Sequence, residues 1–178
     1  MRFYCSDDTV DLEQYPYHVR DVHISDPFIL ADPKSRCYYT YVQFADTKRF
    51  PDVETDKEHG VFYVLESKDL IHWSKPQICF RQNNFWADKD YWAPEVHIWK
   101  GRYYLFSSFR ADGHYRKCQC LVSDSPKGPF EPIRQEAVTP DGWQSLDGTL
   151  YVDRSGKPWM VFLSLIHISE PTRPLYIS

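Results

Sequence analysis

The segment Ala93-Pro94-Glu95-Val96-His97-Ile98-Trp99-Lys100-Gly101 runs an acid into a short apolar strand and a polar tip. It is followed by Arg102-Tyr103-Tyr104-Leu105-Phe106, which returns as an aromatic strand. The same pattern occurs upstream as Asp26-Pro27-Phe28-Ile29-Leu30-Ala31-Asp32 with Cys37-Tyr38-Tyr39-Thr40-Tyr41. It occurs downstream as Asp147-Gly148-Thr149-Leu150-Tyr151-Val152-Asp153 with Gly156-Lys157-Pro158-Trp159-Met160-Val161. The leading acids are 69 and then 52 positions apart. A hairpin repeat of this length points to a β-propeller with about four strands per blade.

The sequence between these hairpins agrees. Val61-Phe62-Tyr63-Val64-Leu65 and the run around Cys118 to Val122 are strand-length and rich in β-branched or aromatic residues. Ser67 to Trp73 and Ser125 to Phe130 then read as turns that set one ring back against a sheet. No stretch sustains helical periodicity over three turns, so the chain is all-β. It holds two complete blades and the inner half of a third. A propeller closes to bury its strand edges, which two and a half blades do not achieve, so the chain reads as truncated.

Composition narrows the function. With 178 residues, 42% apolar and 26% charged, this is a globular chain of about one domain, not a disordered tail. No apolar run is long enough to cross a bilayer as a helix, so no membrane partner is expected. A net charge of −4 argues against non-specific nucleic-acid binding. The N-terminus lacks an apolar segment with a cleavage site, so no secretion signal is visible. The default localisation is cytoplasmic, or secreted if the true N-terminus lies upstream of Met1. The five cysteines, Cys5, Cys37, Cys79, Cys118 and Cys120, are odd in number and irregular in spacing, which favours buried thiols over disulfides or zinc. Cys118 and Cys120 point to one face of a strand.

Acids at the starts of inner strands converge at one face of a propeller. Asp26, Glu95 and Asp147 have that placement. Inverting glycoside hydrolysis needs such carboxylates: one ionised to activate water, one protonated to donate to the leaving oxygen. A third, nearby, raises the acid's pKa by like-charge repulsion. Each has a plainer reading. Asp26-Pro27 also suits a turn into a strand, Asp147-Gly148 is a common hairpin dipeptide, and Glu95 suits a structural carboxylate. Trp92, Trp143 and Trp86, just ahead of strand starts, suit stacking on sugar faces or packing between blades. His23 and His97 suit the channel lining or a core or surface place.

Three motifs taken together resemble glycoside hydrolase family 43. They are His23-Ile24-Ser25-Asp26-Pro27-Phe28-Ile29, Tyr91-Trp92-Ala93-Pro94-Glu95-Val96 and Ser145-Leu146-Asp147-Gly148-Thr149-Leu150-Tyr151-Val152-Asp153. The resemblance covers about residues 20–162. It implies a five-bladed β-propeller and inverting cleavage of arabinofuranosyl, xylosyl or galactosyl links. By position it makes Asp26 the general base and Asp147 the carboxylate that tunes and orients the acid, with Glu95 a supporting carboxylate. Trp92, His23, His97, Trp143 and Trp86 become candidate substrate contacts. The family's general acid is a Glu on a later blade and has no counterpart here, so the chain alone is expected to be inactive. Some members hold a metal ion near the channel axis, but no His/Asp/Glu spacing here defines such a site, so no cofactor is expected.

The domain reading is a lead-in over 1–19, a partial propeller over 20–162 and a tail over 163–178. Leu163 to Arg173 resembles the translated transposase adaptor used in DNA library preparation, which makes the tail non-native and removes Glu170 as a candidate acid. The expected partner is a carbohydrate of the arabinose- or xylose-containing kind. The alternative is a propeller that binds carbohydrate without catalysis. A fructoside-acting enzyme is disfavoured, because Ser25-Asp26-Pro27-Phe28-Ile29 stands where that group carries Asn-Asp-Pro-Asn-Gly.

Overall fold

The structure, a computed structural model, describes residues 10–22, 24–43, 50, 60–83 and 85–165. The described residues contain no α-helix. The first sheet comprises β1 (Tyr17–His18), β2 (Ile29–Asp32), β3 (Cys37–Val42), β4 (Val61–Ser67), β5 (His72–Trp73) and β6 (Gln77–Arg81). The second comprises β7 (Lys89–Trp99), β8 (Arg102–Arg110), β9 (Lys117–Ser123) and β10 (Glu131–Pro132). The third pairs β11 (Ser145–Val152) with β12 (Pro158–Ser164). Every pairing is antiparallel and most join neighbours in sequence. These are two full blades and the inner hairpin of a third. Inner strand β7 touches both β2 and β11.

Period-two alternation sorts the side chains of blade 1. Tyr39, Tyr41, Phe62 and Val64 enter one core, while Tyr38, Val42, Val61, Tyr63 and Leu65 enter another. The first core is the seam with blade 2. There the Phe109 ring stands edge-on to Tyr91 at 5.0 Å and to Phe85 at 4.9 Å. Both faces of β3 and β4 are covered, which is why apolar residues run consecutively through them, interrupted by Thr40 in β3 and by Glu66 and Ser67 at the end of β4.

The two turns read as ring-placing do place rings. Trp73 is buried in the second core of blade 1, and Phe130 of blade 2 is buried against Tyr41 of blade 1. The Tyr41 hydroxyl donates to the Pro126 carbonyl at 2.8 Å, and the Phe130 N–H to the Cys79 carbonyl at 2.8 Å. Gly128 is required at that crossing. Its φ is +79°, and a Cβ would sit 2.3 Å from the Cys79 carbonyl oxygen.

Hairpin tips follow their residues. Lys100 and Gly101, at φ +49° and +79°, form the two-residue link between β7 and β8. Asp32 accepts from the Lys34 and Ser35 N–H groups at 3.0 and 3.2 Å, and Asp153 does the same for Ser155 and Lys157 at 2.9 and 3.0 Å. Residues of the lead-in belong to blade 1: β1 pairs with β5, and the buried Tyr15 hydroxyl donates to Glu66 at 2.5 Å. Strand β12 extends to Ser164, two residues beyond position 162. Residues 166–178, and with them Glu170 and most of the tail, lie outside the described residues, as does Cys5. Cys37, Cys79, Cys118 and Cys120 are buried, unbridged thiols.

Candidate active site

The three acids come from three neighbouring inner strands, each at a local distortion. Asp26 precedes β2 by three residues and has φ +51°. Glu95 follows the second of two register shifts in β7, and Ala93, inside that second shift, has φ +48°. Asp147 lies inside β11, not ahead of it, at the shift between Leu146 and Thr149, with φ +53°. A left-handed backbone at a residue with a Cβ costs about 1–2 kcal/mol, and Asp tolerates it better than most. The Asp147 N–H is held by the buried Ser108, whose Oγ accepts it at 3.0 Å.

These strands bring the carboxylates into one electrostatic group. The pKa of Asp147 is raised, first by partial burial, then by the negative charges of Asp26 and Glu95. Glu95 goes the other way. Burial pushes it up, but hydrogen bonds from His97 and Thr149 outweigh that and hold it below the usual carboxylate range. The same neighbourhood thus favours the charged form at Glu95 and disfavours it at Asp147. Asp26 and Asp147 are exposed and Glu95 is half-buried, so water reaches the group.

His97 sits inside this cluster. Its Nε2 donates to Glu95 Oε1, and the same oxygen accepts the Thr149 hydroxyl. His97 Nε2 and Thr149 Oγ1 are 3.3 Å apart, and the imidazole packs against Phe28 at 5.3 Å and Phe106 at 6.1 Å. Trp92 is 42% exposed, with one ring face covered by the Arg116 guanidinium at 3.7 Å. Arg116 is held in turn by Asp90 at 2.8 Å, which also accepts from Arg110. Trp143 is 37% exposed and lies 6.4 Å from Phe162. Trp86 packs on Phe85 and Phe109 and lines a hollow of about 430 Å³ with His114, Lys117 and Asp141. None of the three acids lines that hollow. His23 lies outside the described residues.

The structure thus unites Asp26, Glu95, Asp147 and His97. It adds Thr149, Ser108, Asp90 and Arg116, which sequence reading did not single out. For Thr149 a signal existed: Phe28, His97 and Thr149 each stand two places after an acid of the repeat. Ser108 and Arg116 act across strands and left no local trace. Among the described residues, no group of three or more His, Cys, Asp or Glu side chains is arranged to hold a metal ion.

Residues 18–178 match the sequence profile of Glycosyl hydrolases family 43. The chain belongs to that family. Among its family 43 relatives, Xylosidase/arabinosidase 43A of Humicola insolens is 29% identical over 153 residues, covering 83% of this chain and 38% of the relative. The extracellular endo-α-(1→5)-L-arabinanase 1 of Bacillus subtilis is 24% identical over 110 residues, covering 56% of this chain and 34% of the relative. The crystal structure of an endo-arabinase from Bacteroides thetaiotaomicron superposes with a TM-score of 0.71 at 40% identity, covering 83% of this chain and 48% of that one. The chain spans less than half the length of each of these relatives. The family's five-bladed propeller is represented here by its partial form.

Proposed function

We propose that this chain supplies the general base and the acid-tuning carboxylate of an inverting glycosidase acting on arabinose- or xylose-containing polysaccharides or oligosaccharides. The observation that carries the reading is that Asp147 of the third blade lies within reach of the charges of Asp26 and Glu95, from the first and second blades. Such an assembly is unfavourable for the fold and useful for one purpose, setting the protonation of groups around a reacting centre.

In this reading Asp26 takes a proton from a water molecule as that water attacks the anomeric carbon. The glycosidic oxygen leaves from the opposite face, protonated by an acid that the base must face across about 6.5–9.5 Å. That acid is not assigned to any described residue. Asp147 raises its proton affinity by like charge and orients it, and Glu95 holds a constant negative charge beside Asp147. Trp92 offers its open ring face to the apolar side of a sugar, with Arg116 immobilising the ring from behind. Trp143, Trp86 and His23 are further proposed contacts. The pentosan substrate class is supported by the names of the relatives, an arabinanase, an endo-arabinase and a xylosidase/arabinosidase.

The test is Asp26→Ala in the full-length protein, assayed on aryl arabinofuranosides and xylosides. Turnover is expected to fall on the order of 1,000-fold, with the far-UV circular dichroism unchanged. Proton NMR of the first product is expected to show the inverted anomer. Undiminished turnover in the variant contradicts the assignment. An intact protein that binds the sugars but never cleaves them points to a binding module instead.

A further inference from the structure

Phe28, His97 and Thr149 stand two residues beyond the three acids, and His97 meets both of the others. His97 touches Phe28 on one side and lies 3.3 Å from Thr149 on the other, and Glu95 accepts hydrogen bonds from both His97 and Thr149. The inner strands of all three blades are therefore tied together one contact away from the carboxylates. Thr149 is the tie's polar attachment to β11 among the described residues, and Asp147 is two residues from it on the same bulge.

That bulge needs holding. Asp147 has a left-handed backbone, which persists only where the surroundings enforce it. On one side its N–H is anchored to Ser108. Next to it, Gly148 lies so close to β9 that a Cβ would approach the Cys118 side chain at 3.2 Å. On the other side stands the Thr149 hydroxyl on Glu95. We propose that Thr149 and His97 are positioning residues, which lock β11 onto β7 and so fix where Asp147 stands relative to Asp26.

This inference rests on the glycosidase reading above, and its test keeps the two apart. In the full-length protein Thr149→Val keeps the side-chain shape and removes the donor. Its kcat on an aryl glycoside is expected to fall on the order of 10-fold with KM within about twofold, as for an interaction that matters in the transition state. Thr149→Ser, which restores the hydroxyl, is expected to recover kcat to within about twofold of the parent. A Thr149→Val enzyme with parental kcat overturns the proposal. If Thr149→Val fails to fold, His97→Gln probes the tie from β7, and an unchanged kcat there overturns the proposal equally. Loss of the glycosidase reading shows separately, as an Asp26→Ala variant that still turns over.

Discussion

Strands β3 and β12 are drawn from the same kinds of residue, yet one is buried at every position and the other alternates. Cys37 to Val42 lie between two cores, whereas Trp159, Val161 and Leu163 of β12 are 49%, 51% and 52% exposed. The difference is one of neighbours and not of composition. β3 has a strand on each side and a blade seam over its face; β12 is paired with β11 alone in the third sheet. Apolar content in a propeller strand therefore does not by itself report how many layers cover it; the neighbouring strands and seams do, and stability should concentrate at the seam of blades 1 and 2.

The sharpest way to break this contrast is truncation on each side of it. Phe109 is fully buried among Phe62, Phe85 and Tyr91. Phe109→Ala should lower the unfolding free energy by about 3–5 kcal/mol, from lost transfer energy plus the cavity left behind. Val161→Ala should change it by less than about 0.5 kcal/mol, as at other exposed positions. Urea titration of each variant measures both. Comparable losses at the two positions would show that β12 is as deeply covered in solution as the seam.

How far the sequence made this structure legible follows the same division. Strand content, hairpin tips and the placing of Trp73 and Phe130 were readable, because period-two alternation and turn chemistry act over a few residues. The convergence of Asp26, Glu95 and Asp147 was readable because it repeats. The contacts that organise the site were not. Ser108 holds Asp147 from 39 positions away, and Thr149 reaches Glu95 across 54. Such cross-blade bonds leave no period. The pairing of β1 with β5 was equally hidden, since two residues of strand carry no pattern. Trp92 was legible as an exposed ring, but not its Arg116 backing, which comes from the far side of the β8–β9 hairpin.

A smaller effect comes from a carboxylate at the seam. Glu66 is buried, accepts the Tyr15 hydroxyl and pairs with Lys127 at 2.6 Å. Burial pushes its pKa up, but Lys127 and Tyr15 outweigh that and the net shift is downward. A lowered pKa means the folded state favours the anion. The stabilisation is therefore complete above the ordinary Glu value of about 4.3 and disappears as pH falls through the lower folded value. Glu66→Gln should lower stability at pH 7 by about 1–2 kcal/mol, a figure reduced because the Lys127 end is partly solvated. The deficit should shrink as pH falls below the ordinary Glu value, as unfolding curves at neutral and acid pH would show. A pH-independent deficit would mean that shape and not charge accounts for it.

Asp147 is the mirror case and the smallest effect. Partial burial and the charges of Asp26 and Glu95 raise its pKa, so the folded state favours the protonated form. Its ionisation destabilises the fold as pH rises through the raised value, and the penalty is absent below the ordinary Asp value of about 3.9. Asp147→Asn should therefore stabilise the protein at pH 7, by less than about 0.5 kcal/mol because the group is exposed and screened. The gain should fade on acidification and in high salt, while the turnover proposed for the full-length protein falls. A variant destabilised at neutral pH would mean that the Asp147 charge is satisfied by some partner. The opposition between a seam acid that supports the fold and a site acid that strains it would then be lost.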